Sequence, residues 1–146
     1  MAKKLIPYIG FDNAKEALEY YSEVFGDVKA NRISVSPEQA AQFGIPEGVD
    51  LSATTMHASF EIFGEMLYTA DDFQKVGTPK GLAIALSVTT DDEVAKKDLD
   101  ALWEKAVASG KVEVEMPFAE QFWGGKFGSL IDKYSIRWQF AVNEIL

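Results

Sequence analysis

The order of the predicted secondary structure occurs twice along the chain. In each half, one strand is followed by one helix and then by three more strands. The first helix is predicted over residues 14–25, where apolar residues recur at helical intervals and Asn13 has a capping spacing to Glu16. The second helix is predicted to begin after Thr90, which we expect to act as its cap. The repeated order predicts an internal duplication of a βαβββ unit.

Strands are predicted wherever apolar or alternating runs are bounded by turn-forming residues. They cover residues 5–11, 28–35, 51–63, 66–70, 82–89, 111–115, 126–132 and 136–142. A two-residue turn at Gly64-Glu65 is predicted to join the third strand to the fourth. The segment 36–50 is long for a connection inside a compact domain. It is either a lid or binding loop or an ordinary connection, and its middle can form one or two helical turns.

The predicted fold class is α+β. We expect a single domain over residues 1–146, made of two βαβββ units at about 1–75 and 80–146. Within one unit, the helix covers one face of the sheet and leaves the other face bare. Two such units can form a curled mixed sheet around a shared cleft, with the helices on the outside. This arrangement predicts that the main ligand pocket is the cleft.

Charge and composition exclude several classes of function. The chain has 14 basic and 23 acidic residues and a formal net charge of -9, so we expect no nucleic-acid partner. It contains no cysteine, which excludes disulfides, thiolate metal sites and cysteine nucleophiles. No apolar run approaches the roughly 20 residues that span a bilayer. We therefore expect no membrane association and a cytoplasmic location.

The stretch from Met56 to Met66 contains the only histidine of the chain, His57. Because successive side chains of a strand face opposite sides, this stretch has one apolar and one polar face. The apolar face comprises Met56, Ala58, Phe60 and Ile62. The polar face comprises His57, Ser59 and Glu61. A wholly polar face turns toward water or a cavity, so it is a candidate wall of a ligand site.

Several motifs together resemble the PhnB-like branch of the vicinal-oxygen-chelate superfamily. They are Pro7-Tyr8-Ile9-Gly10-Phe11 with the helix segment 16–26, Met56-His57-Ala58, Phe122-Trp123-Gly124-Gly125-Lys126-Phe127-Gly128, and the segment 132–138. That superfamily includes glyoxalase I, extradiol dioxygenases, fosfomycin-resistance enzymes and bleomycin-resistance proteins. The resemblance covers nearly the whole chain and implies the paired βαβββ fold, usually as a homodimer. One departure is Ser135, where the branch usually has glycine in a turn.

The resemblance also implies where metal ligands would lie. Metal enzymes of the superfamily place histidine, glutamate or glutamine near the start of the first strand and on the last strand of each unit. In this chain the first-strand positions fall around Leu5-Ile6 and Leu82-Ala83, and the last strand carries Trp138 and Phe140. None of these side chains binds a metal. The resemblance therefore predicts no metal site of the usual kind, although an unusual divalent ion remains an alternative.

His57 is the main candidate for chemistry, with Glu61 as its acidic partner. Because Glu61 lies four residues further along the strand, roughly 13 Å away, the two can hardly hold one ion. His57 is either a structural histidine, a ligand contact or an acid–base group. Candidate ligand-binding residues are His57, Ser59, Trp123, Trp138 and Phe140.

The aromatic candidates for ligand binding are proposed for different reasons. Trp123 lies beside the Gly124-Gly125 pair, where it caps a pocket or an interface or simply packs. By the analogy with the superfamily, Trp138 and Phe140 would face the cleft. Arg137 is expected to pair with an acid such as Asp132.

These observations leave two functional hypotheses. The first is a homodimer that binds a small aromatic or amphipathic molecule in its cleft without turnover. The second is an enzyme of the lyase or dioxygenase type that uses His57 with Glu61 or another acid, either metal-free or with a non-standard divalent metal. An ordinary divalent-metal enzyme is disfavoured by the missing ligands. A methyltransferase is disfavoured because no glycine motif for binding a methyl donor is present.

Overall fold

The protein is described by a computed structural model covering residues 3–77 and 79–144. The chain divides into two compact units, Met1–Gly77 and Thr78–Leu146. Each unit contains a four-stranded mixed sheet and one long helix. The predicted α+β class and the twofold strand–helix–strand–strand–strand order are therefore confirmed. Among the described residues, no helix has both the length and the apolar character needed to cross a membrane.

The first unit has the sheet order β1-β4-β3-β2. β1 runs parallel to β4, and the other neighbours are antiparallel. Its elements are β1 (Tyr8–Phe11), α1 (Ala14–Phe25), β2 (Asn31–Ile33), the short helix α2 (Pro37–Gln42), a 3₁₀ turn (Leu51–Ala53), β3 (His57–Ile62) and β4 (Glu65–Asp71).

The second unit has the equivalent order β5-β8-β7-β6. β5 runs parallel to β8, and the remaining pairs are antiparallel. Its elements are β5 (Ala83–Thr89), α3 (Glu93–Ala108), β6 (Glu113–Glu120), β7 (Lys126–Ile131) and β8 (Arg137–Asn143). The same connectivity therefore occurs in both halves.

The two long helices begin at side-chain caps. The predicted α1 cap is confirmed, because the Asn13 side chain accepts a hydrogen bond from the Glu16 amide at 3.1 Å. For α3 the prediction of Thr90 as the cap is wrong. Asp92 caps this helix instead, and its carboxylate accepts from the Ala95 amide at 3.0 Å. A carboxylate two residues closer to the first turn also suits the positive end of the helix.

The predicted third strand begins later than expected, at His57. Residues 51–53 instead form a 3₁₀ turn, which Arg32 holds against β2. One guanidinium nitrogen donates to the Thr54 carbonyl at 2.6 Å and another to the Ser52 carbonyl at 2.8 Å. These carbonyls are therefore satisfied without a strand partner, which explains why the sheet does not extend to them.

The hairpin between β3 and β4 turns at Phe63-Gly64 and not at the predicted Gly64-Glu65. Ile62 pairs with Glu65, and both turn residues have positive φ, 56° and 75°. Two successive positive φ angles are typical of the type I′ turn, whose twist matches that of antiparallel strands. The turn fixes the register of β3 against β4.

The long 36–50 segment contains the helical turns that its sequence predicts. Ser36 caps α2 and forms a reciprocal capping box with Gln39. Phe43, just after the helix, stacks on Phe73 with ring centroids 4.7 Å apart. This contact ties the segment to the chain that leaves β4.

Candidate functional site

Strand alternation divides the sheet of each unit into a helix-facing side and an opposite side, which we call the distal face. In β3, Ala58, Phe60 and Ile62 are buried toward α1, where Phe60 stacks on Tyr21. His57, Ser59 and Glu61 are half-buried and point to the distal face. The predicted separation of an apolar and a polar face along this strand is therefore confirmed.

Three rings meet on the distal face of the first unit. The parallel pairing of β1 with β4 places Tyr8 beside Tyr68, with an edge-to-face contact at 5.9 Å. His57 contacts both rings, with centroid distances of 4.8 Å to Tyr68 and 5.8 Å to Tyr8. We call these three residues the aromatic cluster. Its members come from three adjacent strands, so the sheet itself fixes their spacing.

A hydrogen bond links the two outer members of the aromatic cluster. Oη of Tyr8 lies 3.3 Å from Nδ1 of His57. The phenol donates to Nδ1 when the proton of the imidazole is on Nε2, and it accepts in the other tautomer. Within residues 3–77 and 79–144, Nε2 of His57 makes no hydrogen bond. The imidazole therefore has one oriented nitrogen and one that is free to serve a bound molecule.

The aromatic cluster is flanked by exposed apolar side chains. Tyr8 is 57% exposed, Ile33 beside His57 is 60% exposed and Met66 beside Glu61 is 38% exposed. Soluble proteins rarely gather several large apolar side chains on one exposed surface without a function. This part of the distal face is therefore the strongest ligand-site candidate in the first unit.

Glu61, the predicted acidic partner, is not brought to His57. The register places Glu61 opposite Met66, while Ser59 lies opposite Tyr68. Ser59 and the Tyr68 ring thus stand between the two candidate catalytic groups. Tyr8, and not Glu61, is the side chain that orients His57.

The described residues do not fit a divalent metal of the superfamily's usual kind. They contain no group of three or more histidine, cysteine, aspartate or glutamate side chains that could hold an ion. A catalytic zinc-type site needs about three protein ligands. The described residues therefore offer too few grouped side chains for such an ion.

The prediction that Trp138 and Phe140 face a ligand cleft is wrong. Both are fully buried on the helix-facing side of β8, and Phe140 makes an edge-to-face contact with Trp103 of α3 at 5.0 Å. The alternate residues Arg137 and Gln139 occupy the distal face. The predicted orientation was wrong by one residue, and a one-residue shift exchanges the two faces of a strand. Neither aromatic ring offers a surface to a ligand.

Asp132 holds the 132–138 motif together, a role that its sequence position alone does not predict. One carboxylate oxygen accepts from the amides of Tyr134 and Ile136 at 2.8 and 3.1 Å. The other accepts from Nε1 of Trp138 at 2.9 Å. Ser135 between them has a φ of 69°, the conformation that glycine adopts most readily. This motif is therefore a turn with a buried anchor.

Arg137 pairs with Glu115, so its predicted pairing with Asp132 is wrong. Nε and Nη2 of Arg137 donate to the two carboxylate oxygens of Glu115 at 2.5 and 2.9 Å. This bidentate contact lowers the pKa of Glu115 and raises that of Arg137. Ser129 lies within 3.4 Å of the same carboxylate. The distal face of the second unit thus carries a closed ion pair.

Trp123 lies on the connection between β6 and β7, in the second unit. It is 54% exposed and lines a cavity of about 320 Å³ with Gly125, Asn143 and Glu144. A Cβ on Gly125 would lie 2.6 Å from the Val142 carbonyl oxygen, so the chain requires glycine there. Trp123 is a candidate of the second unit, and Gly125 near it has a structural explanation.

Tyr8 and Tyr68 are site residues that no local sequence pattern predicts. Both lie at alternate positions of their strands, but the signal that unites them is the parallel pairing of β1 with β4. That pairing joins residues sixty positions apart, as Tyr8 and Tyr68 are, and no local pattern encodes it. The Pro7-Tyr8-Ile9-Gly10-Phe11 motif was the available hint.

Comparisons with known proteins agree with this architecture. A family model described as 3-demethylubiquinone-9 3-methyltransferase matches residues 3–141. Protein YjdN of Escherichia coli (strain K12) is 27% identical over 146 residues, covering 94% of each chain. The crystal structure of protein PA1353 from Pseudomonas aeruginosa is similar with a TM-score of 0.64, at 25% identity over 99% of this chain and 100% of that one.

A second solved structure, the PhnB protein from Bacillus cereus, has a TM-score of 0.60 at 24% identity and covers 96% of this chain and 99% of that one. Glyoxalase-related and fosfomycin-resistance proteins share the fold at lower identity. The family model spans nearly all of the chain, and the predicted resemblance is confirmed. The protein therefore belongs to the 3-demethylubiquinone-9 3-methyltransferase family.

Proposed function

We propose that the protein binds a small aromatic or amphipathic molecule on the distal face of the first unit, against the aromatic cluster. The observation that carries this proposal is the mutual contact of Tyr8, His57 and Tyr68 on a face that also exposes Ile33 and Met66. An aromatic ligand gains about 0.5–1.5 kcal/mol from each well-placed ring contact, beyond the burial of apolar area.

Polar groups around the rings would orient such a ligand. Nε2 of His57 is free of hydrogen bonds among the described residues. Ser59 lies two residues further along β3, on the same face. An apolar surface with a few polar groups is the usual composition of a small-molecule site. The arrangement favours a molecule with one flat ring and one polar substituent.

The experiment uses the single histidine as a reporter. Because His57 is the only histidine of the chain, its imidazole proton gives one resolvable NMR signal. We expect 2-phenylethanol and related aromatic compounds to shift this signal in a saturable way. Tyr68→Leu should weaken binding about tenfold, because it removes a ring contact and its buried area.

Phe73→Leu is the matched control. It removes a ring from the same unit, but that ring stacks on Phe43 outside the aromatic cluster. We expect its affinity for the compounds to equal that of the unchanged protein. A panel of aromatic compounds that leaves the His57 signal unmoved at millimolar concentration would contradict the proposal.

Acid–base catalysis by His57 is a second candidate, favoured by the Tyr8–His57 hydrogen bond. An oriented imidazole with a free second nitrogen is the arrangement that a general base requires. The test is hydrogen–deuterium exchange at the acidic CH₂ of phenylacetone in D₂O. Acceleration by the protein that disappears in His57→Gln would support catalysis. Exchange at the buffer rate would contradict catalysis and leave ligand binding as the proposed role of the site.

The homodimer and the cytoplasmic location that we expect from the sequence are also proposals. Family resemblance supports the dimer, and the absence of cysteine fits a reducing compartment. Light scattering on the purified protein should give twice the mass of 16.1 kDa. A mass of one chain at micromolar concentration would contradict the dimer, and cell fractionation tests the location.

A further inference from the structure

The strands of the first unit carry more negative than positive charge. Their basic side chains are Arg32 and the single histidine, and their acids are Glu61, Glu65 and Asp71. Arg32 is occupied by the Ser52 and Thr54 carbonyls beyond the end of the strand. No lysine or arginine of β1–β4 therefore presents its charge on the distal face.

The acids are not equivalent. Asp71 accepts from the amides of Ala14 and Thr55 at 2.8 and 3.0 Å, so its charge is already solvated by the backbone. Glu65 pairs with Ile62, on the other side of the sheet from Glu61. Glu61 is half-buried on the distal face, and its carboxylate makes no hydrogen bond or ion pair within residues 3–77 and 79–144.

Glu61 lies beside the aromatic cluster. It is diagonal to Tyr68 across the β3–β4 pair, because Tyr68 faces Ser59 and Ser59 precedes Glu61 by two residues. Diagonal neighbours of this kind are about 7–8 Å apart at their Cα atoms, within reach of long side chains. A group that contacts the Tyr68 ring can therefore also contact the Glu61 carboxylate.

A second carboxylate borders the other end of the same face. A Cβ on Gly10 would lie 3.3 Å from Cβ of Asp72, so this side chain stands over the end of β1. Amides of Gly77 and Val76 donate to Asp72 and hold the pKa of its carboxyl below the ordinary value. Two lysines lie near this face. The Lys75 ammonium lies 3.9 Å from Asp12 at the exposed surface. Lys29 follows Val28, whose carbonyl accepts from the Glu61 amide at 2.7 Å, but among the described residues it forms no ion pair with the Glu61 carboxylate.

We infer that the ligand of this site is an aromatic ammonium compound, with its cation between the Tyr68 ring and the Glu61 carboxylate. This inference rests on the proposed function. Tyrosine faces attract organic cations, and a carboxylate beside them supplies the opposite charge. The Glu61 carboxylate would repel an anionic ligand at this position. A neutral ligand would leave Glu61 without a partner.

The test compares three probes on one skeleton: 2-phenylethylammonium, 2-phenylethanol and 3-phenylpropionate. Each is titrated against the full chain at pH 8, and the His57 imidazole signal reports binding. We expect the ammonium probe to bind about five- to tenfold more tightly than the alcohol, and the carboxylate to bind most weakly.

Glu61→Gln removes the charge and keeps the shape of the side chain. We expect it to reduce the affinity of the ammonium probe to that of the alcohol, without changing the affinity of the alcohol. Glu65→Gln is the matched control, because it makes the same change of charge on the neighbouring strand and the opposite face. It should leave the preference for the cation intact.

The outcomes separate the two proposals. Equal affinity of the alcohol and the ammonium probe, or no effect of Glu61→Gln, would overturn the cation inference and leave aromatic binding standing. Tighter binding of the carboxylate probe would also overturn it. If none of the three probes moves the His57 signal, the proposed function fails, and the inference fails with it.

Discussion

The distal faces of the two units have the same backbone topology but differ in their aromatic and charged side chains. In the first unit the face carries the aromatic cluster, exposed apolar side chains and Glu61 without a partner among the described residues. In the second unit β6 exposes Met116 opposite Ser129, whereas β5 and β8 carry small and polar residues on this face and the Arg137 guanidinium is paired with Glu115. These small and polar residues include Ala83, Ala85, Ser87 and Gln139.

This difference shows where a duplicated fold places its binding chemistry. A bidentate ion pair satisfies both of its charges and leaves little to offer a ligand. The rings of the aromatic cluster and the Glu61 carboxylate, which has no partner among the described residues, can still contact a ligand. We therefore assign binding to the first unit and structural support to the ion pair of the second.

The largest expected effect comes from Trp138 in the core of the second unit. Trp138→Ala should reduce the free energy of unfolding by about 3–5 kcal/mol, because it opens a cavity and leaves a buried oxygen of Asp132 without its donor. Chemical denaturation measures the loss. A loss below about 1 kcal/mol, accompanied by weaker ligand binding, would contradict the core role of Trp138 and indicate that it contacts the ligand.

Gly128 tests the close approach of β7 to β6. A Cβ at this position would lie 2.6 Å from Cα of Phe118, so the strands must separate to accommodate it. Gly128→Ala should lower the free energy of unfolding by about 1–3 kcal/mol, as overpacking usually does. Gly64→Ala is a contrasting variant. A Cβ at Gly64 would meet no atom within 4 Å, but the φ of 75° at this position is strained for a residue with a side chain. Equal stability of Gly128→Ala and the unchanged protein would contradict the packing described here.

Tyr8→Phe sharpens the comparison within the aromatic cluster. The ring stays, and only the hydrogen bond to Nδ1 of His57 is removed. We expect aromatic probes to bind about two- to tenfold more weakly, since a bond of this kind is worth about 0.5–1.5 kcal/mol. Gln139→Ala, on the distal face of the second unit, should leave the affinity unchanged. A loss of affinity in Gln139→Ala would contradict the assignment of binding to the first unit.

The smallest effect concerns acid stability in the second unit. The pKa of Glu115 is lowered in the folded protein by Arg137, so the pair stabilises the fold above the ordinary glutamate pKa of about 4.3. This contribution is lost as the pH falls through the lower, folded-state pKa. Glu115→Gln should therefore flatten the loss of stability on acidification, and so should Arg137→Gln. Unchanged acid profiles in both variants would contradict the ion pair.

Most of the fold could be predicted from local patterns. The periodicity of residues 14–25 and the Asn13 cap correctly predict α1, and alternation correctly predicts which residues of β3 are buried. The errors lie at the ends of elements, as at Thr90 and at the Phe63-Gly64 turn, where one hydrogen bond decides between neighbouring residues.

The candidate site was less predictable, for two physical reasons. Its key contact joins Tyr8 and Tyr68, which only the pairing of β1 with β4 brings together. The face of Trp138 and Phe140 depended on an analogy whose register was off by one residue. Partner choice, as between Arg137 and Glu115, is likewise set by the sheet and not by the distance along the sequence.

The most direct test of the central claim is a map of the binding surface. The ¹⁵N-labelled full chain is titrated with 2-phenylethylammonium, and every backbone amide is followed by NMR. We predict that the saturable shifts concentrate on β1, β3 and β4, around Tyr8, His57 and Tyr68, with little change on β5–β8. Shifts centred on Trp123 and β8, or no saturable shifts in the first unit, would contradict the account.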